Sequence, residues 1–470
     1  MAHAFAKAPA LPQGLLSKKV ERFAFNHKAW LPWIHAAMFV GFLVLVVVPL
    51  ALPAPPDDAQ LFSNFTLTAN FLIWGLWFPL VFVSVIFTGR SWCGVLCPMG
   101  ASSEWLNRIG LKRAVPRWIR WEGAPVVSFI VITILAQTID ARSFPEGIAE
   151  VFGLTLACAL IVGFLYGPGY HKRTWCRHLC PIGLTLGSFS RLGIVQFVPK
   201  KPRIGGEALT DKGVCPTFID INRKHESRHC IECLRCVQPN ANGGLAIHLR
   251  APGSEAANVR DHHPHGSDIW FLFLGTGVAI GGFLWLTLPL YQQVRHALAV
   301  WAINHNWMAF VSPGPSWLMS VHPAGREVFT WLDFSMIVGF MLATAVVFAV
   351  ALSACTALGS WFAGRLGADG SFRSRFLELA YQYLPVAMVS LVLGLGSELF
   401  ALLQHGIGIE ATRIVELVLF AAGLLWSLHI GRSILRRQGL SGARLGAALI
   451  PSLIGCAAAG IIWWPALFGV

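Results

Sequence analysis

Long apolar runs separated by short polar stretches dominate this chain of 470 residues. Nine of the runs hold roughly 20 apolar residues each, enough to carry an α-helix across a hydrocarbon core. They fall near 30–53, 66–89, 124–140, 150–170, 268–291, 329–361, 377–403, 412–430 and 445–468. The third is the shortest. The first is too long for a signal-peptide core and lacks a small-residue cleavage site after it, so it reads as a retained anchor. The pattern predicts an all-α polytopic membrane protein of about nine transmembrane helices.

Composition agrees and then adds an orientation. At 55% hydrophobic and 13% charged residues, with a mean hydropathy of +0.60, the chain is too apolar for an ordinary soluble globule. A net charge of +13 invites a nucleic-acid reading, which the placement of the charges removes. With the amino terminus inside, 32 of the 36 Lys and Arg residues fall on that side of the nine runs; only Arg142, Arg295, Arg326 and Arg413 fall on the other. This bias predicts a multi-pass protein of the bacterial inner (cytoplasmic) membrane, with the amino terminus cytoplasmic and the carboxyl terminus periplasmic. Membrane lipid is the partner that the basic balance implies, and no nucleic acid is called for.

Eight of the eleven cysteines lie in the polar stretches of the predicted cytoplasmic side: Cys93, Cys97, Cys176, Cys180, Cys215, Cys230, Cys233 and Cys236. Cys158, Cys355 and Cys456 lie within apolar runs, and none lies in a predicted periplasmic loop, which argues against a disulfide framework. Four of the eight belong to a repeat. RSWCGVLCPMG at 90–100 returns 83 residues later as RTWCRHLCPIG at 173–183, and the match runs without a gap from 90–117 onto 173–200. Each copy follows two apolar runs, so the copies share one orientation and are related by an axis along the membrane normal. Two Cys-x3-Cys-Pro loops brought together supply four thiolates (Cys93, Cys97, Cys176, Cys180), the number an iron–sulfur cluster requires. Arg90, Arg173 and Arg177 stand beside them to offset its charge. Buried structural cysteines or a zinc site are the alternatives.

The second group spans 213–240. Cys230-x2-Cys233-x2-Cys236 has the spacing of a bacterial ferredoxin site, whose fourth ligand comes from a Cys-Pro elsewhere; Cys215-Pro216 fits that role. Zinc is again the alternative. The chain divides accordingly into a segment 1–29, a duplicated unit 30–200, a polar iron–sulfur segment 201–267 and a five-helix region 268–470.

These motifs, Cys-x3-Cys-Pro loops after membrane helices followed by a ferredoxin-like segment, resemble the NapH/NosR/CcoG group of membrane polyferredoxins over roughly residues 30–250. The resemblance implies an electron-transfer protein with two [4Fe-4S] clusters, relaying electrons between a cytoplasmic or quinol donor and a membrane or periplasmic-side redox partner. It suggests settings in anaerobic respiration, copper reduction or ferrous-iron uptake. Such proteins usually carry two full ferredoxin cysteine runs. Here the first three cysteines are missing before Cys215, where the sequence is EALTDKGV, and Asn240 replaces the last. Under ligand exchange all four losses fall on one cluster, leaving Cys215, Cys230, Cys233 and Cys236 as one complete site.

Other cofactors find thin support. A quinone is implied only by the donor, and His35 and His429, near predicted cytoplasmic helix ends, are the residues a b-type haem would use. GTGVAIGG at 275–282 lies inside an apolar run, where small residues serve helix packing. On the predicted periplasmic side, Asp333, Glu398, His405, Arg413 and Glu416 lie near helix ends, and the loop 292–328 adds His296, His305, Met308, Met319 and His322. Ionisable residues at such depth mark a path or a metal site; an amphipathic surface helix accounts equally for the loop. The rival reading is accordingly an ion or metal transporter with a regulatory or energising iron–sulfur module.

Overall fold

The computed structural model describes residues 13–56, 58–200, 214–240, 244–325 and 327–468. Arg326 and most of the EALTDKGV stretch lie outside the described residues. Among the described residues, eight helices are long and apolar enough to span a membrane, and a ninth apolar helix is shorter. In chain order they are α1 (Leu15–Ala51), α2 (Phe65–Thr88), α3 (Ala124–Thr138), α4 (Pro145–Leu165), α5 (Gly266–Thr287), α6 (Trp331–Arg365), α7 (Phe372–Leu395), α8 (Ile409–Arg437) and α9 (Gly442–Pro465). The protein is an all-α, multi-pass membrane protein.

Two boundaries differ from the apolar pattern, each for a local reason. The run at 377–403 is broken at Gly396, so that α7 stops at Leu395 and a separate helix covers Ser397–Ile407. Glycine is a poor helix former, and Arg142 fixes the break by binding the Gly394 carbonyl (3.4 Å) and the Ser397 hydroxyl. The run at 268–291 ends at Thr287 because Leu288 is extended before Pro289, which opens a new helix, Pro289–Asn304.

The duplicated loops are exchanged between the two halves of the repeat. The helix Pro98–Ile109, after the first cysteine pair, packs on α4 of the second half as well as on α1. The helix Pro181–Phe189, after the second pair, packs on α2 of the first half as well as on α3. Backbone bonds repeat the exchange: Leu111 N–H donates to Phe164 O (2.7 Å) and Ile194 N–H to Ile86 O (2.8 Å). Each cysteine pair is thereby carried toward the other.

The polar segment is clamped at its two ends. Strand β1 (Val195–Pro199) pairs antiparallel with β2 (Leu245–Leu249), Val195 facing Leu249 and Pro199 facing Leu245. Phe197, Ile221, Val237, Leu245 and Ile247 form a small core beneath it. A buried polar knot ties this segment to the membrane helices. Glu255 accepts from Ser227 N–H (3.0 Å) and Oγ (2.7 Å) and from Arg191 and Arg250. Asp268, at the start of α5, accepts from Arg228 (2.7 Å), Ser188 (3.0 Å) and the Tyr381 hydroxyl of α7 (2.8 Å).

Candidate iron–sulfur centre

Each Cys-Pro step starts a helix, and the cysteine itself is the cap: Gly100 N–H donates to Cys97 Sγ (3.4 Å) and Gly183 N–H to Cys180 Sγ (3.2 Å). Proline at the first helical position fits that role, its missing N–H being one that would have no partner there. Cys93 and Cys176 sit one turn back, buried, and all four thiols lie within electrostatic range of one another. Burial first, then the neighbouring cysteines, pushes Cys97 up to about 11 and Cys180 up to about 12. Burial thus favours the protonated form of Cys97 and Cys180, and ligation must displace their protons.

Two arginines complete the centre in a crossed arrangement. Arg90 of the first copy lies against Gly183 of the second, where an added Cβ would stand 3.0 Å from Nη2. Arg173 of the second copy lies against Gly100 of the first, where a Cβ would stand 2.9 Å from Nη1 and 3.4 Å from Cys176 Sγ. Both guanidiniums are buried, at 2% and 0% exposure. Nε and Nη2 of Arg90 and Nη2 of Arg173 have no oxygen or nitrogen partner among the described residues. Buried N–H donors left without acceptors beside four sulfurs are costly unless an anion fills the space between them.

Cys215, Cys230, Cys233 and Cys236 line a single cavity. Its walls are set by the small core under β1 and β2, and the Thr217 hydroxyl lies 3.3 Å from Cys215 Sγ. Burial, against the pull of Lys224, pushes Cys230 up to about 12. Glu232, between two of these cysteines, is fully buried and is pushed by that burial up to about 8. Glu104 is the opposite case. Despite its burial, Arg173 and then Arg235 hold its carboxyl down at about 2, with Arg173 Nε donating to it at 2.9 Å.

Among the described residues, which include all eight cysteines, no three sulfurs lie within 4.8 Å of one another.

The two sets also touch. Gly94, next to Cys93, packs so closely on the second set that an added Cβ would lie 2.1 Å from Ile231 O and 2.7 Å from Cys233 N. Arg173 Nη1 donates to Cys93 O (2.6 Å) while its own N–H donates to Pro216 O (2.9 Å), and Lys172 Nζ holds Cys215 O (2.9 Å). Sequence reasoning missed Gly94 and Glu104. Gly94 aligns with Arg177 in the repeat, and Glu104 with Gly187, so the duplication gave no signal for either.

The residues read as an opposite-side site are not gathered. Asp333 caps α6 through Thr330 and is bound by Arg295. His305 is exposed and stacks on Trp301 (4.5 Å), His322 stacks on Phe144 (3.9 Å), Met308 is exposed and Met319 is fully buried. Glu398 and His405 are exposed on Ser397–Ile407, and Glu416 lies on α8. The helix Pro289–Asn304 presents Leu290, Val294, Leu298 and Trp301 outward, the face of an interfacial helix. His35 is buried and donates Nε2–H to Gly94 O (3.0 Å), whereas His429 is exposed on α8.

A family model described as a 4Fe-4S binding domain matches residues 70–116 and 151–204, one cysteine loop in each stretch. Protein NirI of Paracoccus denitrificans is 27% identical over 209 residues, 41% of this chain and 30% of that protein. The ferredoxin-type protein NapH of Haemophilus influenzae is 24% identical over 230 residues, 44% of this chain and 77% of NapH. The methylamine utilization ferredoxin-type protein MauN of Methylorubrum extorquens is 26% identical over 194 residues, 39% of this chain and 64% of MauN. The aligned part is thus less than a third of NirI. No solved structure matches the chain.

Proposed function

We propose that this chain, which is similar to ferredoxin-type iron–sulfur proteins, is a membrane-bound electron-transfer protein that carries two [4Fe-4S] clusters and passes electrons between them. Cys93, Cys97, Cys176 and Cys180 hold the first; Cys215, Cys230, Cys233 and Cys236 hold the second. When bound, each cluster supplies a one-electron couple. The chain's own residues set the conditions. Arg90 and Arg173 offset the anionic charge, Glu104 fixes Arg173, and Gly94 brings the two ligand sets into backbone contact. That contact is the observation that carries the reading, because electron transfer between centres needs close approach.

The donor is read as a quinol. A cavity reaching both ligand sets through Gly94, Arg173 and Cys233 is also lined by Leu31 and Pro32, at the start of the first membrane run, and by Trp105 of the helix Pro98–Ile109. An apolar wall with convergent polar groups suits an amphipathic head group better than a soluble protein. The centre is placed on the cytoplasmic face of the inner membrane, following the charge bias, and the acceptor is a membrane or opposite-side redox partner. Anaerobic respiration is favoured as the setting over metal-ion handling, because the opposite-side residues form no assembled ion site among the described residues.

Anaerobic stopped-flow reduction in proteoliposomes tests this. A quinol analogue should reduce both clusters, and Trp105→Ala should slow that step without slowing reduction by dithionite. Equal slowing with both reductants, or no reduction by quinol, would remove the quinol from the scheme.

A further inference from the structure

The first turns of α1 leave the membrane with one apolar face bare. Leu15–His27 runs through Lys28–Trp30 into Leu31–Val47, and His27, Lys28, Trp30 and Leu31 all keep right-handed helical backbone. The segment therefore continues the membrane helix outward and does not fold back beside it. Its contacts fix how far out it stands. Glu21 accepts from Ile247 N–H (3.2 Å) and pairs with Lys200 (3.2 Å). Ile247 faces Phe197 on β1, and the chain just before β1 is bonded to α2 through Ile194 N–H and Ile86 O. At about 3.3 Å per residue, Glu21 meets the strands roughly 10–20 Å of chain beyond that bond. That distance carries the helix clear of the hydrocarbon core.

One side of Leu15–His27 is committed. Ser17 and Glu21 are buried against β2, and Ala24 packs on the small core that holds Cys230 and is flanked by Cys215 and Cys236. The other side is open: Leu16 is 61% exposed, Val20 38% and Phe23 65%. Their i, i+4, i+7 spacing makes one stripe along the helix. Lys18, Lys19 and Arg22 are exposed beside it, and the one acid of the helix, Glu21, is buried.

An apolar stripe held out in water marks a protein contact. The charges narrow the occupant. A second copy of the chain would bring the same three cations against Lys18, Lys19 and Arg22. A lipid surface lies below the stripe. A helix with acidic residues beside its apolar face meets both the stripe and its border.

We propose that this face docks an acid-flanked amphipathic helix of a partner protein, on the same side of the membrane as the cysteine sets. Leu16, Val20 and Phe23 take its apolar positions, and Lys18, Lys19 and Arg22 pair with its carboxylates. The docking deepens the function proposed above and rests on it for one point, the redox nature of the partner. A protein seated there is separated by a single helix, about 10 Å thick, from the core around the second cysteine set.

The test uses the full, iron-loaded chain in phosphatidylcholine nanodiscs with two designed fluorescent helical peptides. Both carry leucine at alternate third and fourth positions; one is flanked by glutamate and the other by lysine. Fluorescence anisotropy should show the glutamate peptide binding at least tenfold more tightly. The triple variant Lys18→Glu, Lys19→Glu, Arg22→Glu should reverse that order. Phe23→Ser should weaken the glutamate peptide about tenfold or more, the effect of losing one buried aromatic side chain. All four substituted residues are exposed, so iron content should match the parent. Anisotropy does not read the clusters, so failure of the docking and failure of the cluster assignment are told apart. Equal binding of the two peptides, an order that the triple variant leaves unchanged, or binding that survives Phe23→Ser would overturn the site. Two other results would reassign the face and overturn it as well. One is protection of 15–27 from hydrogen exchange only when phosphatidylglycerol is in the nanodisc, which points to lipid. The other is a dimer in native mass spectrometry that Phe23→Ser dissolves, which points to a second copy.

Discussion

Substituting Gly94 probes the contact on which electron passage depends. The Cβ of Gly94→Ala would sit 2.1 Å from Ile231 O, 2.7 Å from Cys233 N and 2.9 Å from Cys233 Cα. All three are backbone atoms, so no side-chain rotation relieves the clash. Overpacking by one methyl costs about 1–3 kcal/mol, and backbone neighbours put this site at the upper end. About 3 kcal/mol shifts the equilibrium between docked and displaced segments roughly a hundredfold. The two ligand sets should therefore separate while each keeps its own cysteines. The assay is electron paramagnetic resonance of the fully reduced protein, in which two nearby paramagnetic clusters broaden each other's signals. Gly94→Ala should give two independent, sharper signals with iron content preserved. Gly153→Ala, where nothing lies within 4 Å of the new Cβ, should behave as the parent. An unchanged, fully coupled spectrum from Gly94→Ala with full iron would refute the reasoning.

Cys93→Ser and Cys230→Ser should each remove about half of the iron and acid-labile sulfide, and each should abolish a different signal. Replacing Arg173 by Gln removes a buried positive charge beside the first set, so the midpoint potential there should fall in a redox titration. Glu255→Gln leaves Arg250 without its buried counter-charge, while Arg191 keeps Glu226 and Asp268; the loss of about 3–5 kcal/mol expected for a broken buried pair should appear as faster hydrogen exchange across 214–265. Acid should act on the same residues. Glu104 and Glu255 are held at about 2 against an ordinary 4.5, so their stabilisation is complete above pH 4.5 and is lost as pH falls toward 2. Hydrogen exchange in 214–265, corrected for its intrinsic pH dependence, should accelerate as pH falls across that window.

The membrane helices were readable because length and apolarity are summed over many residues. Small local causes were not: the break at Gly396 depends on Arg142, which lies 252 residues from Gly394 in the chain. The grouping of the thiols followed from a repeat that any alignment of the chain with itself reveals. Their mutual contact did not, because it rests on a glycine that has no counterpart in the second copy and on the fold of residues far downstream. The opposite-side residues show the limit of depth as a guide. Asp333, Glu398 and Glu416 share a level in the membrane pattern, yet helical rotation and a broken helix send them to different neighbours. The Thr330–Asp333 spacing already spelled a helix cap, a simpler role than ion conduction. Glu104 and Glu255 were opaque for another reason: each becomes informative only once arginines from distant segments surround it.

The most direct check on the central claim is Mössbauer spectroscopy with iron and acid-labile sulfide analysis on the anaerobically purified full chain. Two occupied cysteine sets predict about eight iron and eight sulfide per chain, all in four-iron clusters. Zinc in place of iron, or a single four-iron cluster that survives both Cys93→Ser and Cys230→Ser, would contradict it.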